Sequence, residues 1–164
     1  MRDNSDISFG LWQMLNRSRQ AIVKLRQKEL NQYDISMSGL SVIRTIMRLG
    51  EKATVKHISQ QLFFEYHSVR ELIVRLDKEG LLRKTKDPRI KNLVRIEVTD
   101  KGEALYRKSM NKPTIKQIMS ALNEDEQLQL WFLLSKIRDR CVKKLKIKGL
   151  SPYPPSNPTQ YVKE

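Results

Sequence analysis

The sequence predicts a mainly helical fold with one small β-hairpin. Over most of the 164 residues, apolar side chains recur three and four positions apart, which is the spacing of one buried helix face. After Gly80 the period changes to two, because the segment VRIEV at 94–98 alternates apolar and charged residues like a half-buried strand. The stretch LLRKTK at 81–86 is the expected partner strand. The segment DPRIKN between the two strands has the proline and asparagine of a turn.

The first predicted element is one long helix over residues 7–33. Its apolar side chains form a broken stripe from Leu11 to Leu25, with basic residues on the flanks. Because no short element can cover so long a helix, we expect part of this stripe to meet a second copy of the chain. An ordinary core helix is the alternative, and both descriptions can hold at once.

A compact unit is expected to follow over about residues 36–102. Ser36 is the predicted N-cap of its first helix, and Thr54 is the N-cap of its short second helix. The third helix, at 65–79, ends before Gly80, where a left-handed residue is favoured.

The helix at 65–79 has one apolar face and one polar face. Short polar and cationic side chains on the second face suit the base edges and phosphates of a DNA major groove. We expect Arg70 to contact a guanine and Arg75 to contact a phosphate. For His67, a DNA contact and an ordinary surface position are equally open. The candidate DNA-binding residues of this helix are His67, Ser68, Arg70, Glu71 and Arg75.

The tip of the predicted hairpin is basic. Five cations lie between positions 83 and 91, against Asp87 as the one acidic residue. Alone, such a run is usually a solvated charged surface. Beside a polar helix face it indicates a nucleic-acid footprint, to which we assign Arg89 and Lys91.

Thr99 is the predicted N-cap of the helix that follows the hairpin. Further helices are expected over residues 103–148, which would complete a single domain spanning 1–148. Pro113 can begin one of them. The last helix should begin after Asn123, which forms a capping-box-like pair with Glu126. Its apolar stripe from Leu130 to Leu145 again indicates dimerisation.

A proline-rich segment, residues 149–164, ends the chain. Its composition predicts a flexible or polyproline-like tail without a packed core. The tail is expected either to be free or to be ordered by packing on a partner subunit.

These segments together resemble the MarR family of winged-helix transcriptional regulators over about residues 7–147. The resemblance rests on ISMSGLSVI, RLDKEGLLRK, the wing DPRIKN and VTDKG. Ile90 and Lys91 stand where the family often has a second arginine or an Asp-Arg pair. Val98 and Gly39 replace a usual leucine and a common glutamine. The matching positions are Arg75, Leu76, Gly80, Leu81, Asp87, Arg89, Thr99 and Gly102.

The resemblance implies a winged helix-turn-helix with N- and C-terminal dimerisation helices. It implies a cytoplasmic, prokaryotic, homodimeric repressor that binds double-stranded DNA at an inverted repeat. Arg89 should enter the minor groove, and Asp87 should support the wing by bracing either Arg89 or the turn.

The resemblance also implies that a small phenolic or apolar effector binds between the dimer helices and the winged unit. Four aromatic residues are candidates for lining that pocket, although core packing is the simpler explanation for each. They are Phe9, Trp12, Tyr33 and Trp131.

Composition narrows the class of function. A net charge of +14 favours an anionic polymer over a small acidic substrate. No apolar run is long enough for a membrane span, and the start MRDNSDIS is unlike a signal peptide. Neither a phosphate loop, nor a catalytic triad, nor a paired metal motif is visible, so we predict no enzyme and no cofactor. The rival functions are an architectural DNA-binding protein and a winged protein-interaction module.

The single cysteine excludes an intrachain disulfide. Cys141 lies in the apolar stripe of the last predicted helix, which predicts a buried and unreactive thiol. Members of the resembled family that sense oxidants use a cysteine in the first helix, and this chain has none there.

Overall fold

The computed structural model of the chain describes residues 4–147, 149 and 153–161. The predicted tail falls partly outside these residues, at 150–152 and 162–164. Short 3-10 turns, Asn31–Tyr33 and Gly50–Lys52, follow the first two helices. In chain order the elements are α1 (Asn4–Leu30), α2 (Met37–Leu49), α3 (Val55–Leu62), α4 (Tyr66–Lys78), β1 (Leu82–Lys86), β2 (Val94–Val98), α5 (Asp100–Ser109), α6 (Pro113–Met119), α7 (Glu124–Lys144) and α8 (Pro158–Tyr161).

The predicted helix starts are confirmed by their caps. The hydroxyls of Ser36, Thr54 and Thr99 each accept a backbone N–H from the first turn of α2, α3 and α5. At α7, Asn123 and Glu126 form a complete capping box, in which each side chain accepts the backbone N–H of the other residue. Each cap satisfies amide donors that have no partner inside the helix, so local sequence is enough to fix these starts.

The hydrophobic core lies among α2, α3, α4 and the hairpin. The predicted apolar stripe of α4 faces this core, with Val69, Ile73 and Leu76 buried. The mainly helical fold with a hairpin wing is therefore confirmed. The buried apolar residues are Leu30, Ile35, Leu40, Val42, Ile43, Ile46, Ala53, Ile58, Val69, Ile73, Leu76, Leu81, Leu82 and Ile96.

The hairpin is antiparallel, with Leu82 opposite Val98 and Lys86 opposite Val94. β1 begins one residue later than predicted. The Leu81 carbonyl accepts the N–H of Thr99 at 3.1 Å, which links the start of β1 to the start of α5. On its other edge β2 is tied to the end of the second 3-10 turn, where the Ile96 N–H donates to the carbonyl of Ala53 at 2.9 Å. The wing is thus fixed along both edges of β2.

A buried arginine ties α1 to the connection between α5 and α6. The guanidinium of Arg26 donates to the carbonyl of Ser109 at 2.5 Å and pairs with Glu29 at 2.6 Å. The side chains of Arg26 and Ser109 are both buried, so this contact lies inside the molecule. It links the C-terminal part of α1 to the end of the winged unit.

The apolar faces of the terminal helices point outward. Every residue of α1 from 7 to 21 is exposed, including Phe9 and Trp12, so the expectation of core packing is wrong for these two. Cys141 on α7 is also exposed, and the prediction of a buried thiol is wrong. Within the described chain, no element covers these stripes, and an apolar sequence neighbourhood therefore does not imply burial.

Residues 153–160 of the C-terminal segment pack on their own chain. Trp131 and Arg138 of α7 donate hydrogen bonds to it, and Tyr153 lies over arginines of α2. The prediction of an unpacked tail is therefore wrong for residues 153–160. Polar side chains on α7 satisfy the backbone carbonyls of this proline-rich segment, which composition alone does not reveal.

Candidate nucleic-acid interface

The surface of α4 opposite the core carries the predicted residues. His67, Arg70 and Glu71 are exposed and Ser68 is half-buried, while the buried residues of α4 anchor the helix from behind. Sequence analysis did not include Val74, which is also exposed and lies among these polar groups. One side of α4 therefore presents a cation-bearing face with an apolar centre.

Arg75 lies at the edge of this face, where α4 meets the start of α2. Its guanidinium donates to the hydroxyl of Ser36 at 3.2 Å and lies 3.8 Å from a carboxylate oxygen of Glu79. Its side chain remains 54% exposed. Arg75 is thus held in place while its remaining donors face solvent.

The wing tip is organised around the buried carboxylate of Asp87. One oxygen accepts the backbone N–H groups of Arg89 and Ile90 at 2.7 and 2.9 Å. The turn closes through the left-handed Asn92, with φ of 66°, and through the Leu93 N–H, which donates to the Ile90 carbonyl at 3.2 Å. Asp87 therefore braces the turn itself, and the side chain of Arg89 extends outward, exposed.

Arg95 is the guanidinium partner of Asp87, and sequence analysis missed it. Its Nε donates to the second oxygen of Asp87, and its Nη1 lies 3.3 Å from Glu51. The sequence shows Arg95 only as the polar member of an alternating strand. The hairpin register was the signal that could have revealed this contact. It places position 87 opposite position 93, and the side chains of residues 93 and 95 lie on the same face of the strand.

The electrostatics of Asp87 follow from these contacts. Burial alone raises the pKa of its carboxyl, but the Arg89 amide, the Arg95 guanidinium and the Ile90 amide together lower it more. The pKa of Asp87 therefore lies below its ordinary value, and the carboxylate is charged when the turn is formed.

Two of the five hairpin cations have carboxylate partners. Arg83 lies 2.7 Å from Glu97, and Lys84 lies 3.0 Å from Asp77. The Arg83 hydrogen bond is also the main reason that the pKa of Glu97 lies below its ordinary value. Lys86, Arg89 and Lys91 have no ion pair among the described residues. The uncompensated charge therefore lies at the tip and at the end of β1 beside it.

His57 and the acidic side chains form no metal-binding cluster among the described residues. The Nδ1 of His57 lies 2.7 Å from the carbonyl of Lys52. Over the described residues, no three His, Cys, Asp or Glu side chains are placed to hold a metal ion. None of the helices described is both long and apolar enough to cross a membrane.

The four aromatic candidates for an effector pocket lie in three environments. Phe9 and Trp12 stack on each other on the exposed face of α1, with their ring centroids 5.4 Å apart. Tyr33 packs against the core, and Trp131 donates to the C-terminal segment. A cleft of about 430 Å³ lies instead between α2 and α5, where Met47, Tyr106 and Met110 contribute to its lining.

Comparison with known proteins agrees with this geometry. Residues 36–102 match the winged helix DNA-binding domain family. An uncharacterized HTH-type transcriptional regulator of Bacillus cereus is 25% identical over 147 residues, covering 88% of this chain and 97% of the relative.

Two solved structures share the fold. The organohalide-sensing transcriptional regulator RdhR, in its 2,4-dichlorophenol-bound form, is 26% identical with a TM-score of 0.74, covering 82% of this chain and 80% of RdhR. A mutant MarR from E. coli in complex with operator DNA is 20% identical with a TM-score of 0.74, covering 82% of this chain and 98% of MarR. The domain match assigns residues 36–102 to the winged helix DNA-binding domain family, and the second solved structure shows that the chain shares the fold of the MarR regulator.

Proposed function

We propose that this regulator is a homodimeric, cytoplasmic repressor that binds a specific double-stranded DNA operator and is released by a small ligand. The observation that carries the proposal is the preordered wing tip, where the buried Asp87 presents Arg89 and Lys91 beside the exposed face of α4. A tip that is already ordered loses little conformational entropy on binding. The operator complex of the E. coli MarR mutant supports this use of the fold.

Each DNA-facing element has its own role in the proposal. The N-terminal half of α4, with Ser68, Arg70 and Glu71, contacts base edges in the major groove, as in other helix-turn-helix proteins. Arg75, held at the start of α2, contacts a phosphate. Arg89 enters the adjacent minor groove, where a cation is attracted by the concentrated negative potential.

The exposed terminal helices support the dimer. Leu11 is 61% exposed, Trp12 57% and Ile137 48%, and all lie on apolar stripes of α1 and α7. Extended apolar surface of this kind is rare on a monomer and marks an interface. A second copy related by twofold symmetry would bury both stripes and present two recognition helices to an inverted repeat.

The proposal of a small ligand rests on two observations. RdhR senses organohalides and has been solved with 2,4-dichlorophenol. The cleft between α2 and α5 has a volume of about 430 Å³ and a partly apolar lining, which is within the range of small-molecule sites. An apolar or phenolic effector bound there would touch both the winged unit and the start of the C-terminal helices.

Competition binding tests the proposal. A labelled duplex from the DNA beside the gene for this protein is titrated with protein at fixed salt, with random duplex as competitor. We expect the protein to keep the labelled duplex bound in the presence of excess random duplex. Equal competition would favour the architectural function, to which a net charge of +14 also points.

A wing variant separates DNA binding from protein interaction. Arg89→Ala should weaken binding by roughly 1–3 kcal/mol, the range for a charged contact. Arg107→Ala removes an exposed cation from α5, away from the wing, and is the matched control. Unchanged DNA affinity of Arg89→Ala at moderate salt would show that Arg89 of the wing does not contact DNA.

A further inference from the structure

The C-terminal segment, residues 153–160, is anchored to α7 by an indole. The Nε1–H of Trp131 donates to the carbonyls of Pro155 and Ser156, at 3.1 and 3.2 Å. Neither residue belongs to a helix or a strand, so the indole gives these backbone acceptors a partner. The contact fixes the path of the segment on one side of α7.

A second anchor lies two turns further along α7. Arg138 donates to the carbonyl of Pro154 and, at 2.8 Å, to the hydroxyl of Ser156. The side chain of Arg138 is only 16% exposed. Trp131 and Arg138 lie on the same side of the helix and about 10 Å apart along its axis. The segment is therefore held to α7 at two points, which fixes its direction as well as its position.

The other end of the segment contacts α2. The ring centroid of Tyr153 lies 4.2 Å from Cζ of Arg48 and 5.5 Å from Cζ of Arg44. Both distances are within the range of a cation–π contact. Arg48 in turn donates a hydrogen bond to the side chain of Gln61 in α3. The segment therefore joins the last long helix to the first two helices of the winged unit.

The backbone between the winged unit and α7 passes through two short connections. Residues 110–112 join α5 to α6, and residues 120–123 join α6 to α7. Hinge rotations are commonly absorbed by a few residues at the ends of elements. The buried side chain of Arg26 ties α1 to the first connection. Residues 153–160 bypass both connections and tie α7 directly to α2.

We propose that residues 153–160 form a strap that fixes the angle between α7 and the winged unit, and that this angle determines the half-site spacing that the dimer accepts. The inference rests on the proposed function, because it requires α7 in the dimer interface and one winged unit on each half-site. Two winged units on rigid arms present their α4 helices at one separation, whereas pivoting arms would present a range. Trp131, Arg138 and Tyr153 are then positioning residues, which act through the angle of α7.

The contacts of the strap determine the size of the expected effect. A duplex with the wrong half-site spacing is bound only if the angle changes, which requires the Tyr153 ring to leave the guanidinium groups of α2. Loss of one partly exposed cation–π contact corresponds to about five-fold in affinity. Without the ring this penalty disappears, while the contacts within each half-site remain. Strap variants should therefore change the spacing preference and leave the base preference unchanged.

Distances measured by pulsed electron paramagnetic resonance test the strap without DNA. Nitroxide labels are attached to Lys56→Cys in α3 and Lys143→Cys in α7, in a Cys141→Ser background that has no other thiol. Both lysines are exposed, and Lys143 lies on the side of α7 opposite the apolar stripe. Labelled chains are diluted with excess unlabelled chains, so that the measured distances lie within one chain.

The width of the distance distribution reports the freedom of α7. The distribution should be narrow in the parent protein and should broaden in Tyr153→Ala and in Arg138→Gln, which release the α2 and the α7 attachment of the strap respectively. Arg140→Gln removes an exposed cation from the side of α7 away from the strap and should leave the distribution unchanged. Equal widths in all four proteins would overturn the strap.

Binding to duplexes with varied half-site spacing tests the effect on specificity. The half-sites selected by the wild-type protein are placed at their preferred spacing and at spacings one base pair shorter and longer. The affinity ratio between preferred and altered spacing should fall by about five-fold in Tyr153→Ala and stay at the wild-type value in Arg140→Gln. Base preference within each half-site should not change.

Two results of this binding experiment have different meanings. An unchanged spacing ratio in Tyr153→Ala, although its distance distribution has broadened, would overturn the role of the strap in specificity. Absence of any preferred operator for the wild-type protein would contradict the proposed function and, with it, the claim about spacing. The distances would still decide whether the strap holds α7, because they require neither DNA nor a dimer.

Discussion

A single buried carboxylate determines the shape of the wing tip. Asp87 accepts two amides of the turn with one oxygen and the guanidinium of Arg95 with the other. Without that charge, two amide donors and a partly buried guanidinium would lose their acceptor. The position of the Arg89 side chain on the surface therefore depends on a residue that does not itself face DNA.

Acidification should release the wing tip. Because the pKa of Asp87 is lower in the folded chain than in the unfolded chain, its contribution to stability is complete above the ordinary value, about 3.9. The contribution is lost as the pH falls from that value through the folded pKa. Backbone amide NMR shifts of Arg89 and Ile90, followed during acid titration, should therefore show a midpoint below the ordinary pKa of aspartate.

Two variants complete this titration. Asp87→Ala should move the same two amide signals toward their disordered positions at neutral pH, because the turn loses its acceptor. Asp125→Ala, on the exposed first turn of α7, should leave them unchanged. A midpoint at or above the ordinary aspartate pKa would contradict the stabilising role of the charged form.

At the scale of elements, the wing and the start of α5 are closely packed. Thr99 accepts the Gly102 N–H at 3.1 Å and donates to the Gly80 carbonyl at 2.7 Å. A Cβ at Gly102 would lie 2.3 Å from the carbonyl oxygen of Leu81, a backbone atom that cannot move aside alone. Glycine is required here by close approach of two backbones.

Gly102→Ala should consequently destabilise the chain by roughly 1–3 kcal/mol or more, the usual cost of overpacking. Gly10→Ala is the matched control, since its Cβ would meet nothing within 4 Å in the middle of α1. The control should gain about 0.5–1 kcal/mol from helix propensity. Urea unfolding followed by circular dichroism measures both changes, and equal stability of the two variants would contradict the close packing.

The two arginines of α4 should differ in what they contribute. Arg70, in the N-terminal half, should select one base, so Arg70→Ala should relax preference at one position. Arg75→Ala should weaken binding to all sequences alike and lower the salt slope by about one unit. Base preference measured by selection from random duplexes, together with salt titration, separates the two effects. Identical base preferences for wild type and Arg70→Ala would contradict the assignment of a guanine contact to Arg70.

Sequence predicted those elements whose stabilising contacts are local. The caps at Ser36, Thr54 and Thr99 depend on residues three positions away, so their pattern is visible in the chain itself. The Asp87–Arg95 contact depends on strand register, which is a tertiary property. The docking of residues 153–160 depends on side chains of α7 that lie 16 to 25 positions earlier, and composition carries no signal for it. The exposure of Cys141 depends on what packs over α7.

For the whole molecule, the exposed apolar stripes of α1 and α7 cost free energy, because they leave large apolar side chains in contact with water. Ile137 lies within the stripe of α7 and is 48% exposed in the single chain. Ile137→Glu should weaken dimerisation by several kcal/mol, on the order of the cost of an unpaired buried charge. Lys136→Glu introduces the same side chain beside the stripe and is the control. Sedimentation at micromolar concentration should find the first variant monomeric and the second dimeric.

Operator mapping tests the central claim most directly, because it reports DNA specificity and dimer symmetry together. Footprinting of the DNA beside the gene for this protein should reveal two protected half-sites in inverted orientation, with centres about 10 base pairs apart. The Ile137→Glu variant should lose both half-sites together, since a single winged unit makes too few phosphate contacts to bind alone. Uniform protection without preferred sites, or full protection by the monomeric variant, would contradict a dimeric operator-binding repressor.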